Sequence, residues 1–261
     1  MSIHPTAIVA ETAVVPASCT VGPFCTVGAN VVLGENCELV SHVVLDGYTT
    51  IGSGSKIYSF ACVGISPQDL KYRGEPTRVT IGERTVIREY VTISRGTAGG
   101  GGTTRIGSGC LVMAYVHIGH DSQIGNGVIL PNGATLAGHV TVEDYATLSA
   151  NAPVHQYCTI GKYAYIGGGT TITQDVLPYS LTSIERNNHA YGLNKVGLQR
   201  RGFTAEQLRE LTTAMRVLTS GKKNTTQALQ EIDDMLDQGA GGEHVRYLAD
   251  FVRKSERGVI K

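Results

Sequence analysis

The chain has 261 residues, with 22 basic and 22 acidic side chains and a formal net charge of zero. That balance argues against a general nucleic-acid binder, and no apolar run reaches membrane-spanning length. The length suits one elongated domain plus a small second one, and the absence of Trp with only 4 Phe suits a thin core.

From Ile3 a small aliphatic recurs every sixth residue. The series runs Val9, Val15, Val21 and onward to Val63, resumes at Ile81, Ile87 and Ile93, and resumes again from Ile106 to Ile172. All 26 positions are Ile, Val or Leu. A period of six fits neither a helix nor a free strand. It predicts a parallel β-helix whose flat faces each turn one aliphatic inward, so that stacked repeats bury a core no single repeat could bury. The position four after each aliphatic is small, as at Ala7, Cys19, Cys25, Ala134 and Ala164. Gly often follows the aliphatic, as at Gly22, Gly52, Gly125 and Gly161, and is read as a residue for tight corners. The hexads begin at Ile3 with no signal-peptide pattern, so a soluble cytoplasmic protein is expected. Five of the six cysteines (Cys19, Cys25, Cys37, Cys110, Cys158) fall on the small inward position and read as buried hydrophobes, with no CxxC spacing.

Two interruptions are expected to project as loops. Residues 69–80 are twelve in number and leave the phase intact. The second, about 94–105 and centred on GTAGGGGTTR, shifts the phase by one. Its four consecutive glycines read as a flexible loop, and long loops in a regular solenoid are often functional. The hexads fade after Val176, and the period becomes helical. Thr204 to Gln207 forms a capping-box pattern before Leu208, Leu211, Met215 and Leu218. A second helix carries Leu229, Ile232 and Leu236, and a third Val245, Leu248 and Val252. The expected division is a β-helix over 1–183 and a helical domain over 184–261. Between Arg186 and Lys223 there are eight Lys/Arg against two acids. This is either a solvated helix face or a patch for an acidic or phosphate-bearing partner.

Three hexads make one coil of 18 residues, so residues 18 apart should stack at one inter-strand spacing of ~4.8 Å. His120, Gly138 and Gln156 then share a column flanked by His139 and His155, a cluster spanning roughly 10 Å on that spacing. Histidine suits general-base work near neutrality. Asp121 either orients His120 or is a polar turn residue, and a backbone N–H at Gly138 could serve an oxyanion. No nucleophile elbow or catalytic-cysteine context is present. A metal reading through His117 and His120, as in gamma-type carbonic anhydrases, is the weaker alternative, because those proteins are shorter and have no such helical domain. No metal and no cofactor is expected.

The segments HPTAIV (4–9), GPFCTVG (22–28), QDLKYRGEPTRV (68–79), HIGHD (117–121), TLAGHV (135–140), HQYCTIG (155–161), NHAYGLN (188–194) and GLQRRGF (197–203) resemble the UDP-N-acetylglucosamine O-acyltransferases of lipid A synthesis. The resemblance covers nearly the whole chain. It implies a left-handed β-helix, against the general preference for right-handed crossovers, and a homotrimer with active sites between neighbouring prisms. It implies transfer of an (R)-3-hydroxyacyl group from acyl carrier protein to the sugar 3-position. In that reading His120 is the general base, Asp121 supports it, Gly138 supplies the oxyanion N–H and His139 positions substrate. Asp69 and Lys71 bind sugar and phosphate, and His155, Gln156, Asn194 and Arg200 hold the UDP-sugar. Gly168 matches a position limiting acyl length, where a small residue permits a longer chain. Arg201, Arg209 and Arg216 are candidates for docking the acidic carrier. The chain departs from the family at Ser94, where His is common, and at Lys195-Val196, where an apolar-acidic pair is common. Two other activities remain as alternatives. One is the N-acyltransferase of the same pathway, disfavoured because hexads from Ile3 leave no preceding domain. The other is the zinc-dependent lyase. A non-enzymatic scaffold is the third possibility.

Overall fold

The computed structural model describes residues 2–185, 187–221 and 223–260. The chain winds as a left-handed parallel β-helix of three sheets, with 11, 8 and 9 strands, one for each face of a prism. The inward aliphatics stack coil on coil. Ile3 pairs with Val21, Val21 with Leu39 and Leu39 with Ile57. Ile57 then pairs with Ile87 across the first insertion, and Ile87 with Val112 across the second. These aliphatics and the small residues between them form one continuous core, with Ile3, Val9 and Val15 only partly covered at the open first coil. All six cysteines are free. Burial pushes the thiols of Cys25, Cys37, Cys62, Cys110 and Cys158 up, the opposite of what a nucleophilic thiolate needs.

The first loop lies three residues earlier than the interruption in the hexads, and the second is shorter than its interruption. The strand Arg78–Ile81 starts within the span 69–80, so the first loop occupies 66–77. Thr103–Ile106 starts within 94–105, so the second occupies 95–102.

Gly22, Gly52, Gly125 and Gly161 are not left-handed, although Gly64 after Val63 is. These four make room for the next coil: a Cβ on Gly22 would lie 1.7 Å from the Val40 carbonyl oxygen, and one on Gly161 would lie 2.4 Å from Pro178 N. The positive φ falls two residues later, on non-glycine side chains such as Phe24, His42, Phe60, Tyr90, Tyr115, Asp121, His139 and Tyr157. Each such residue costs about 1–2 kcal/mol in backbone strain. Stacking offsets part of it: the rings of Phe24, His42, Phe60, Tyr90 and Tyr115 form one ladder with centroids 4.8–5.1 Å apart. Such pairs contribute ~0.5–1.5 kcal/mol beyond area burial.

The top of the prism is closed by elements that hexad counting does not reveal. Ser180–Glu185 joins the first face beside Tyr165–Ile166 and turns into an antiparallel hairpin with Asn187–Leu193, so a division at 183/184 falls inside a strand. The short helix α1 (Lys195–Arg200) follows, then α2 (Ala205–Thr219), α3 (Thr225–Asp237) and α4 (Glu243–Lys254). The expected capping box starts α2: Thr204 Oγ1 accepts from Gln207 N and Gln207 Oε1 accepts from Thr204 N. Leu208, Leu211, Met215, Leu218, Ile232, Val245, Leu248 and Val252 share a second core with Leu177, Tyr179 and Leu198. Finally Val259–Ile260 returns to the third face and pairs with Asp175–Val176. No described helix is long and apolar enough to cross a membrane.

Candidate active site

The second face ends at Ile118, Leu136 and Val154 on three successive coils, and the chain turns there toward the third face. Each turn carries a left-handed residue, Asp121, His139 and Tyr157 in order, and these stack. The His139 ring lies on Tyr157 at 4.4 Å, and the His120 ring meets His139 edge-on at 5.0 Å.

His120 Nδ1–H donates to Asp121 Oδ2 at 2.9 Å. An ionised carboxylate can only accept, so Nδ1 carries the proton, and in the neutral imidazole Nε2 keeps its lone pair. The Asp121 carboxylate is fully buried and is held from elsewhere in the chain. Thr97 N–H donates to both oxygens, at 2.9 and 3.1 Å, and Thr97 Oγ1–H to Oδ2 at 2.6 Å. Thr104 Oγ1 accepts from Asp121 N–H at 2.8 Å. The glycine-rich loop, read from sequence as flexible, is closed over this carboxylate. Ala98–Gly100 forms a 3₁₀ turn, and a Cβ on Gly100 would lie 2.1 Å from Asp121 Oδ2 and 2.6 Å from His139 Cε1. Glycine is there because nothing larger fits above the dyad.

Gly138 passes directly beside the imidazole: a Cβ would meet His120 Cε1 and Nε2, each at 2.6 Å. Among the described residues no acceptor is paired with the Gly138 N–H. The His120 imidazole and a backbone N–H with no partner among the described residues therefore belong to neighbouring residues of this corner. Burial lowers the pKa of His139, with the His120 charge adding to it and Asp121 and Asp69 opposing it. The Asp69 carboxylate on the first loop is thus within electrostatic reach of the cluster.

The ligand atoms of His120, Asp121 and His139 lie within 4.8 Å of one another, the one group of three that a cation could use among the described residues. The donor set fits a metal poorly, because both Asp121 oxygens are already engaged by Thr97 and His120. His117 Nδ1 is bonded to Thr92 Oγ1 at 2.8 Å on the strand before the turn. Its pKa is lowered by burial and then by the neighbouring His120 charge.

Residues 175–260 match the second domain of UDP-N-acetylglucosamine O-acyltransferases, and 103–138 match the six-repeat bacterial transferase hexapeptide. The UDP-N-acetylglucosamine acyltransferase of Francisella novicida is 39% identical over 99% of this chain and 93% of its own, with a TM-score of 0.95. The UDP-N-acetylglucosamine O-acyltransferase of Moraxella catarrhalis is 37% identical over the whole of both chains, also at 0.95. The Arabidopsis UDP-N-acetylglucosamine acyltransferase is 33% identical over 99% of this chain and all of its own, at 0.85. The chain belongs to the UDP-N-acetylglucosamine O-acyltransferase family.

The remaining candidate residues of this acyltransferase fall in separate places. Asp69 and Lys71 sit on the 66–77 loop, where Asp69 Oδ1 accepts from Lys71 N–H at 2.9 Å. His155 and Gln156 lie exposed on the coil above His139. Another group is at a different corner, between the third face and the first. There Asn194, Arg200 and Arg201 line a cleft of about 650 Å³ together with Tyr145, Tyr163 and Tyr165. Asn194 also caps α1: its Oδ1 accepts from Gly197 N and its Nδ2 donates to Tyr163 O. Arg201 lies over the Tyr145 ring at 4.2 Å. Arg209 and Arg216 are exposed on α2. Arg186 and Lys222, two of the basic residues of that stretch, lie outside the described residues. Gly168 is on the third corner and is open, since a Cβ there would meet nothing closer than 3.7 Å. Within one copy, then, the acyltransferase fold does not bring Asn194, Arg200 or Gly168 to His120.

Sequence reasoning missed Thr97, Thr104 and Arg257. Thr97 lies inside the interruption that shifts the hexad phase, which is the signal that could have marked it. Arg257 Nη1 comes within 3.3 Å of His155 Nδ1. It is placed there by the C-terminal strand, which has no hexad signature. Ser94 is buried, and among the described residues its hydroxyl has no partner.

Proposed function

We propose that this enzyme transfers an (R)-3-hydroxyacyl group from acyl carrier protein to the 3-position of UDP-N-acetylglucosamine, the first step of lipid A synthesis, with His120 as general base. The observation that carries the mechanism is the Asp121-held imidazole whose Nε2 faces Gly138. His120 Nε2 takes the proton of the sugar 3-hydroxyl as its oxygen attacks the thioester carbonyl carbon. The Gly138 N–H stabilises the oxyanion of the tetrahedral intermediate. Collapse breaks the carbon–sulfur bond, and the imidazolium returns the proton to the departing thiolate. Asp121 fixes the tautomer and stabilises the imidazolium.

Asp69, Lys71, His139, His155 and Gln156 contact the sugar nucleotide in this reading. Asn194 and Arg200 reach it from a neighbouring copy, which their separate corner supports, so the active form is a homotrimer in the cytoplasm. Arg201, Arg209 and Arg216 attract the acidic carrier protein, and Gly168 leaves room for the end of the acyl chain. The test is an assay with UDP-N-acetylglucosamine and a panel of hydroxyacyl carrier proteins. Turnover by the wild type is expected, with a loss of about 10²–10⁴-fold in kcat for His120→Ala at unchanged circular dichroism. No turnover with any donor, or stoichiometric zinc in the purified protein, would sink the proposal.

A further inference from the structure

The first loop leaves the prism after Ile65 and rejoins it at Arg78, and one side chain holds both of its limbs. Arg95, just past the strand Thr92–Ser94, has its side chain only 15% exposed. Its Nη1 donates to the Gly64 carbonyl at 2.8 Å and its Nη2 to Ser66 Oγ at 3.1 Å, on the departing limb. Its Nε donates to Tyr72 Oη at 2.9 Å, on the returning limb, with the guanidinium over that ring at 5.5 Å. Tyr72 Oη–H in turn donates to the Glu75 carbonyl at 2.9 Å. Asp46 Oδ2 supplies the counter-charge at 3.5 Å. The space is made by Gly47, where a Cβ would lie 2.7 Å from Arg95 Nη1. Asp69 and Lys71 lie between the two limbs. Two residues beyond Arg95, Thr97 holds the Asp121 carboxylate, so one short segment fastens the loop at one end and the dyad at the other.

We propose that Arg95 is a positioning residue that locks the 66–77 loop and presents Asp69 and Lys71 to the sugar nucleotide beside His139. An unfastened loop would have to be ordered by the substrate, which takes binding energy from every complex along the reaction. Its loss therefore appears in KM and not in kcat. This rests on the reaction proposed above, in which Asp69 and Lys71 contact substrate; the fastening itself does not.

The test compares Arg95→Ala, Arg95→Lys and Tyr72→Phe with the wild type. For Arg95→Ala, KM for UDP-N-acetylglucosamine rises about tenfold or more while kcat stays within about threefold. Arg95→Lys restores part of this, because an ammonium can satisfy one limb but cannot fork to both. Limited trypsin digestion reads the loop without catalysis. Cleavage after Lys71 and Arg73 becomes about tenfold faster in Arg95→Ala, with little change in the melting temperature. Tyr72→Phe keeps the ring and removes only the hydroxyl link, so it covers the case in which Arg95→Ala fails to fold, and it should show smaller changes in the same directions. Unchanged trypsin rates overturn the fastening. Faster cleavage with unchanged KM, or a fall in kcat alone, overturns the positioning role. A wild type that turns over no donor would instead defeat the reaction, and the Kd for UDP-N-acetylglucosamine, expected to rise about tenfold in Arg95→Ala, would then decide the positioning role.

Discussion

The chemistry of the site depends on distances that single side chains control. Gly138→Ala places a methyl 2.6 Å from the base nitrogen of His120, and the imidazole must move to accept it. Misplacement on the scale of 1 Å costs about 10²-fold, so kcat should fall by that order while the melting curve barely moves. A normal kcat would show that the imidazole tolerates the shift and that the close approach has no catalytic meaning. Thr97→Val removes the hydroxyl donor to Asp121 Oδ2 and leaves the two backbone bonds. A hydrogen bond to a charged group contributes ~1.5–3 kcal/mol, so steady-state kinetics should show kcat down by roughly tenfold or more with KM little changed. Equal kcat values would remove Thr97 from the mechanism.

At the scale of elements, the hexad and the helical period were both written in the sequence, because each side chain's direction follows from local geometry alone. The capping box of α2 was legible for the same reason: Thr204 and Gln207 satisfy each other within one turn. Thr204→Ala should lower stability by about 1 kcal/mol, read as an earlier urea midpoint with kcat retained; an unchanged midpoint would mean that the second core holds this helix without its cap. The hairpin of Ser180–Glu185 and Asn187–Leu193 and the strand Val259–Ile260 were not legible. Their partners are the exposed edges of the last coil, and an edge accepts any sequence that can offer backbone hydrogen bonds. The aromatic ladder from Phe24 to Tyr115 is intermediate. Its spacing is visible in the chain, but the left-handed φ that turns the rings outward is not.

The whole molecule responds to acid through half-buried histidines whose surroundings favour the neutral form. His117, His139 and His244 all have pKa values lowered from the ordinary 6.5, mainly by burial. Below that value the unfolded chain binds protons that the folded chain does not, so the unfolded state gains as pH falls. Their contribution to stability is therefore fully present above pH 6.5 and is lost as pH drops toward the folded-state values. Urea midpoints measured from pH 8 to pH 5 should decline below about 6.5, and the decline should flatten in His117→Gln if that group carries part of it.

The sequence by itself determined the prism, its core, the column of His120, Gly138 and Gln156, and, through its motifs, the family. All of these depend on spacing along the chain. Only the tertiary structure decided what surrounds that column. The bonds from Thr97 to Asp121, the closure of the glycine loop over the dyad, the grip of Arg95 on both limbs of the first loop and the approach of Arg257 to His155 join residues separated by 24, 23 and 102 positions, among others. They are formed where the repeat is interrupted or has ended, and there no period links sequence distance to distance in space.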